Sequence, residues 1–385
     1  MRAAISQLPA SKIREVANAG MGRSDVLPFW FGESDEPTPE FVREAAAASL
    51  SRGETFYAHN LGLPELREAI ARYTSSLHPA VAPERIAVTS SGVNALMLAM
   101  QALAAAGDEV VAVVPVWPNL TAQPAILGAS VKRVSLRAGS GWTLDLDQLR
   151  GAVTERTAVL LLNAPNNPTG WTLTRAEQQA ILDHCRRTGT WIVADEVYER
   201  LYFGEGAQAA PSFLDIAMAD DRVVVVHSFS KSFLMTGWRL GWLVAPADFI
   251  ADMGKLIEFN TSCAPVFVQR GGLAALAHAG EFVPALVQRL KTCRDTLVPQ
   301  LAALPGVRVA NPLGGMYAFF RVEGQNDSLA FAKRLVKDAG LGLAPGAAFG
   351  DEAEGWLRWC FASKDPARLT LGVERLRQAL AGLAL

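Results

Sequence analysis

Several things are missing from this 385-residue chain, and each absence removes a class of function. Its four cysteines, Cys185, Cys263, Cys293 and Cys360, stand far apart, with no C-x-x-C pair and no histidine at ligand spacing. That pattern argues against a zinc site or any other metal centre and against a disulfide framework, and it leaves reduced, mostly buried thiols as the expected state. Basic residues number 36 against 38 acidic ones, a formal net charge of −2, so no cationic surplus exists to grip a phosphate backbone. Nucleic acid is not an expected partner. Half of the residues are apolar, yet they come in runs of a few residues broken by Gly, Pro or charge. None approaches the roughly eighteen needed to cross a bilayer, so a membrane is not an expected partner either. The opening MRAAISQLPASKIREVANAG places Lys12, Arg14 and Glu15 where a signal peptide requires an apolar core, and a cytoplasmic protein is expected. There is no internal repeat and no low-complexity linker.

What is present is a regular alternation. Between residues 85 and 246 lie seven short β-rich runs: RIAVTS, VVAVVP, VKRVSL, TAVLLLN, TWIVADE, RVVVVHS and RLGWLVA. Runs so apolar suit strands buried on both faces. Helical patterns separate several of them. In GVNALMLAMQALAAAG, Leu96, Met100 and Leu103 recur on one face, with Gly107 as the expected stop. Strands alternating with helices predict an α/β fold built on a mostly parallel sheet covered on both faces. Too little chain joins RVVVVHS to RLGWLVA for a crossover helix, so one strand is expected to run antiparallel in a mixed sheet. The C-terminal third, with long helical stretches over about 248–300 and the glycine-rich GVRVANPLGGMYAFFRV, predicts a second, smaller α+β domain. The packing of the first forty residues does not follow from pattern alone.

Ligands of open parallel sheets bind beyond the carboxyl ends of the strands, so the residues there carry the most information. After RIAVTS, Ser91, Gly92 and Val93 open a helix and offer backbone N–H groups to an anion, although Ser91 could equally be a plain N-cap. Trp117 follows VVAVVP, Asn167 lies in APNNPTG, and Asp195 and Tyr198 close TWIVADEVY. Each has an ordinary alternative: Trp117 as core, Asn167 as a turn former before Pro168, Asp195 as a buried cap. Lys231 sits in SFSKSFLMTGWRLG between hydroxyls and ahead of Arg239. An anion site, a flat aromatic, a buried carboxylate and a lysine form a complete set for pyridoxal phosphate, whose protein signature is a lysine Schiff base with a carboxylate near the pyridinium nitrogen.

With YAHNLGLPELREAIA, the SGV turn, APNNPTG, ADEVY and SFSKSFLMTGWRLG in order, the chain resembles the fold-type I, class I/II aminotransferases of the aspartate aminotransferase superfamily over about residues 28–375. The resemblance implies a seven-stranded mostly parallel mixed sheet in a large pyridoxal-phosphate-binding domain at 38–283, and a small domain made of 1–37 and 284–385. It implies pyridoxal 5′-phosphate as cofactor, with Lys231 forming the internal aldimine and later moving a proton in ping-pong transfer between an amino acid and a 2-oxo acid. Ser228, Arg239 and the backbone of Ser91, Gly92 and Val93 would cradle the phosphate, with Ser230 nearby in an undecided role. Asp195 would pair with the ring nitrogen, Asn167 and Tyr198 with the ring oxygen, and Trp117 would stack on the ring. Arg358 in GWLRWCFA and Gly32 in FWFGESD, together with Asn167, would receive the substrate carboxylate. Tyr57 matches a tyrosine that reaches a neighbouring subunit's phosphate, implying a homodimer with shared sites.

The chain departs from the family pattern at Val93 and Ala347, where hydroxyl or longer polar side chains are common. No cation for a second substrate carboxylate can be identified, and Phe29, Trp30, Phe31 and Trp117 are candidate pocket walls, which points toward a neutral or aromatic donor. A carbon–sulfur β-lyase or an amino acid decarboxylase shares the fold and motifs and is the alternative. A non-catalytic sensor is disfavoured because no helix-turn-helix-sized extension and no basic patch are seen. A nicotinamide dehydrogenase would need a G-x-G-x-x-G after a strand, which is lacking.

Overall fold

The structure is a computed structural model, which describes residues 1–382. The seven apolar runs form one sheet: β1 (Ile86–Thr89), β2 (Glu109–Val114), β3 (Ser130–Ser135), β4 (Thr157–Asn163), β5 (Trp191–Asp195), β6 (Val223–Ser228) and β7 (Gly241–Val244). Their order is β1-β7-β6-β5-β4-β2-β3, and β7 alone runs antiparallel to both its neighbours. The short link from β6 to β7 enforces this reversal, as the sequence predicts. Every residue of β1, β6 and β7 is buried, as expected for strands covered on both faces. The edge strand β3 instead carries exposed Lys132 and Arg133 groups, and charge on an edge discourages pairing with another chain.

Helices lie over both faces. Helix α2 (Gly92–Leu103) buries Ala95, Leu96, Leu98, Ala99 and Met100 against β1, β5, β6 and β7. It ends four residues before Gly107, which corrects the expected stop. Ala104 turns to extended backbone, and Gly107, at φ +95°, serves the turn into β2, where Asp108 Oδ2 accepts from Ala105 N–H (2.8 Å).

The expected helical stretch of 248–300 is three helices: α3 (Ala247–Asn260), α4 (Val266–Ala277) and α5 (Ala279–Ala302). Along α5, Val283 packs in the hydrophobic cluster beside the large sheet, while Leu286, Leu290, Cys293 and Leu297 belong to a second cluster. That second cluster surrounds a four-stranded antiparallel sheet of β8 (Val307–Val309), β9 (Tyr317–Val322), β10 (Ala344–Pro345) and β11 (Trp356–Cys360), in the order β8-β9-β11-β10. Helices α6 (Ser328–Ala339) and α7 (Ala367–Ala381) pack with it.

The N-terminal residues, left unplaced by pattern, join this second body. Helix α1 (Lys12–Gly20), capped where Ser11 Oγ accepts from Arg14 N–H, lays Ile13, Val16 and Ala17 into the second cluster. Leu27–Pro28 then pairs in parallel with Leu341–Gly342, and the chain runs on through Phe31 and Gly32 to the carboxyl edge of the large sheet.

Candidate active site

At that edge a cavity of about 230 Å³ opens between the two hydrophobic bodies. Strand register explains the convergence. Asn163 pairs with Asp195, Asp195 with Val226, Ser228 with Gly241, and Gly241 with Thr89, so the ends of β4, β5, β6 and β1 form one rim around the start of β7.

The anion end is built from α2 and the turn after β6. The first turn of a helix leaves N–H groups without intrahelical partners. Ser91 Oγ accepts from Asn94 N–H (3.1 Å), so its hydroxyl is committed as an N-cap, while Gly92 and Val93 line the cavity. Gly241 makes this closeness possible: a Cβ there would lie 2.5 Å from Gly92 N. Ser228 Oγ accepts from Ser230 N–H (3.1 Å) and donates to Ser230 Oγ (2.9 Å), which puts both hydroxyls on the cavity wall and starts the short helical turn that carries Lys231. Arg239 adopts left-handed backbone at φ +56° and donates from Nη1 to Thr236 O (2.7 Å), at the open side of the cavity.

Lys231 Nζ donates to Gly32 O (2.6 Å). Burial, assisted by Arg358 and Arg239, pulls its pKa down to about 8. Asp195 moves the other way. Burial raises its carboxyl to about 7, only partly opposed by the Val197 N–H (3.3 Å) and the Lys231 charge. Among the described residues that N–H is the carboxylate's one hydrogen-bond partner, so the group is undersupplied and suited to a further cationic or N–H partner.

The segment ADEVYER divides between two sides. Asp195 and Tyr198 face the cavity, whereas Glu196 binds Phe213 N–H (3.0 Å) and Glu199 binds His78 Nε2 (3.1 Å) in a network behind it.

Arg358, only 2 % exposed, projects from β11. Nη1 donates to Asn167 Oδ1 (3.0 Å), Nη2 donates to Trp30 O, and buried Nε has no partner among the described residues. Its guanidinium lies 4.5 Å from the Tyr317 ring centroid and 5.0 Å from that of Phe349. Asn167 is held in turn where its N–H donates to Asn163 Oδ1 (2.7 Å).

Of the residues singled out from sequence, Gly32, Gly92, Val93, Trp117, Asn167, Asp195, Tyr198, Ser228, Ser230, Lys231, Arg239 and Arg358 line this one cavity. Ser91 lies just behind it. Tyr57 does not line it and is 88 % exposed. Two expected pocket walls need correction. Phe31 and Trp117 line the cavity, but Phe29 packs on Trp359 with centroids 5.0 Å apart, and Trp30 fills the space left by the missing side chains of Gly20 and Gly342. Sequence reasoning missed Ile13 and Tyr317. A pair of glycines ahead of an aromatic strand, GGMYAFF, was the available signal for Tyr317, since glycine permits close backbone approach.

These donors fit pyridoxal phosphate: N–H and hydroxyl groups with an arginine at one end, an undersupplied carboxyl at the other, and a lysine between them. The comparisons agree. The family described as aminotransferase class I and II matches residues 24–376, and the chain belongs to it. It is 33 % identical to the probable aspartate/prephenate aminotransferase of Aquifex aeolicus, covering 96 % of this chain and 94 % of that protein. It is 34 % identical to the arginine–pyruvate transaminase of Pseudomonas aeruginosa, covering 97 % and 92 %. The crystal structure of the Thermotoga maritima aspartate aminotransferase superposes with a TM-score of 0.91 at 32 % identity, covering 99 % of this chain and all of that one. The protein is a pyridoxal-phosphate-dependent aminotransferase whose substrates are amino acids and 2-oxo acids.

Proposed function

We propose that the cavity residues divide the work of transamination as follows, and that the preferred amino donor carries an uncharged side chain. Gly92 and Val93 N–H, Ser228, Ser230 and Arg239 hold the phosphate, with Ser91 shaping the turn, and Trp117 covers the ring face. Asp195 holds the ring nitrogen in its protonated form, and Tyr198 and Asn167 donate to the ring oxygen. When bound, the cofactor supplies an electron sink for the pair released as the substrate Cα–H bond breaks. Lys231 Nζ takes that proton, and its pKa of about 8 leaves a usable fraction of neutral amine near neutral pH. Arg358, held flat by Asn167 and the Tyr317 ring, receives the α-carboxylate in its planar fork beside Gly32.

One observation supports the uncharged donor. The cations on the cavity wall are Lys231, Arg239 and Arg358, each already engaged by this scheme, and the remaining wall includes Ile13, Phe31, Val93, Leu96, Trp117 and Val197. Mixing cofactor-loaded protein with single amino acids, without acceptor, and following the cofactor's visible absorption tests this. Apolar and aromatic amino acids should react with higher kcat/KM than aspartate or arginine. A clear preference for either charged donor overturns the reading.

The proposal extends to assembly. Tyr57 and Phe56 (84 % exposed) stand on a segment tied to the α3–α4 connection, where Ala58 N–H meets Cys263 Sγ (3.3 Å), and Phe259 is 91 % exposed close by in sequence. Exposed aromatics of this kind support a homodimer in which Tyr57 serves the other subunit's phosphate. The division into 38–283 and 1–37 with 284–385, whose last three residues lie outside those described, is supported by the change of hydrophobic cluster along α5. A monomer in sedimentation at micromolar concentration would refute the assembly.

A further inference from the structure

We infer that Tyr317 is a positioning residue of this reaction, donating its hydroxyl hydrogen to Tyr198 and thereby setting, through Tyr198, the proton affinity of the lysine-linked cofactor. The inference rests on the proposed contact between Tyr198 and the cofactor's ring oxygen.

The two phenol oxygens are 2.7 Å apart, in rings that meet edge to face with centroids 5.7 Å apart. Both side chains are buried. Burial pushes each phenol above its ordinary range, so each keeps its proton throughout the working range of pH. Arg358 opposes this at both rings, while Asp195 reinforces it at both and Cys360 does so at Tyr317. Lys231 completes the charged surroundings, with Nζ 5.6 Å from the Tyr198 ring centroid.

Two hydroxyls in contact own two hydrogens, and only one can lie between them. If Tyr198 donates into the cavity, its oxygen is free to accept, and Tyr317 must be the donor. A hydroxyl that accepts a hydrogen bond becomes a stronger donor, so Tyr317 strengthens whatever bond Tyr198 makes.

Tyr317 is also held from two sides. A Cβ on Gly32 would lie 2.1 Å from its hydroxyl oxygen, so the phenol occupies the space a side chain would need. On the other side its ring lies 4.5 Å from the Arg358 guanidinium. One side chain therefore links the proposed ring-oxygen donor to the proposed carboxylate receptor.

The sign of the effect follows from charge. Negative charge on the ring oxygen holds a proton on the neighbouring lysine-linked nitrogen, and a donor to that oxygen competes for the same charge. Losing the Tyr317 hydroxyl weakens the donor, so the nitrogen keeps its proton to higher pH.

Spectroscopic pH titration of cofactor-loaded wild type, Tyr317→Phe, Tyr198→Phe and the double variant tests this without measuring turnover. Tyr317→Phe keeps the ring on Arg358 and should raise the midpoint of the visible absorption change by roughly 0.2 to 0.7 unit. Tyr198→Phe should raise it further. In the Tyr198→Phe background, Tyr317→Phe should add nothing, because its route is gone. An unchanged midpoint in Tyr317→Phe, or the same increment with and without Tyr198, overturns the inference. No shift in Tyr198→Phe overturns instead the contact on which it rests. Gly32→Ala gives a second arm: its Cβ presses on the Tyr317 hydroxyl with both phenols retained, and it should also raise the midpoint, whereas an unchanged midpoint counts against the inference.

Discussion

Lys231 owes its reactivity to where it is held. An amine with pKa about 8 is roughly one-tenth neutral at pH 7, some hundreds of times more than a solvated lysine, and the neutral form attacks a carbonyl. The rate at which apoprotein captures added cofactor should therefore rise with pH and level off above about 8, rather than climbing toward the ordinary lysine range; stopped-flow absorbance reads this directly. Lys231→Ala should abolish covalent fixation of the cofactor by borohydride and lower kcat by at least about 10³-fold. Fixation elsewhere on the chain in that variant would remove Lys231 from its proposed role. Arg358 makes a complementary case. A lysine there keeps charge but loses the fork, so Arg358→Lys should raise KM for amino acids about 10- to 100-fold, the cost of roughly 1.5–3 kcal/mol for a charge-assisted hydrogen bond. Initial-rate kinetics with a single donor check it, and an unchanged KM means that another group receives the carboxylate.

Among the elements, β7 is the one whose direction matters most. Because it runs antiparallel, it begins where β1 and β6 end, and its first residue, Gly241, abuts both the start of α2 and the Ser228 turn. Gly241→Ala would force a methyl group to 2.5 Å from Gly92 N, with backbone rather than a flexible side chain as the obstacle. The cradle must open, and cofactor retention in equilibrium dialysis should fall at least about tenfold, equivalent to about 1.4 kcal/mol. Retention equal to wild type would show that the proposed phosphate cradle does not depend on this contact.

Across the molecule, the ADEVYER segment joins the cavity to a buried charge network. Protonated His78 donates from Nδ1 to Asp215 (2.8 Å) and from Nε2 to Glu199 (3.1 Å), with Glu196 near and Arg175 on the far side of Asp215. Burial by itself would lower the His78 pKa, yet the two carboxylates override it and hold it at about 10. A histidine raised from about 6.5 contributes stability that is fully present below that pH and is lost as pH rises through about 10. The difference in thermal midpoint between wild type and His78→Gln should thus be largest near pH 6 and shrink toward pH 10, as differential scanning fluorimetry across that range can establish. A difference that grows from pH 6 toward pH 10 would mean that His78 is neutral in the fold, and one independent of pH that its pKa is unshifted; either outcome overturns the assignment.

Local patterns in the chain were enough to locate the strands, the reversal of β7 and most of the cavity residues. Apolar runs buried on both faces leave a local signature, and a parallel sheet places its functional residues just after those runs, so Ser228, Asp195, Asn167 and Lys231 could be located by counting. Arg358, Gly32 and Tyr57 came from motif resemblance, because nothing local distinguishes a cavity arginine from a strand residue. Tertiary structure alone decided what depends on contacts between distant segments. Phe29 and Trp30 left the pocket because Trp359, Gly20 and Gly342, far away in the chain, offered them space. Tyr317 entered it because β9 pairs with the strand of Arg358 and its hydroxyl meets Tyr198, 119 positions earlier. Helix α2 ended at Leu103 because the chain had to turn into β2 through Ala104 and Gly107. Periodicity reports which face of an element is buried, but not which distant side chain will be waiting there.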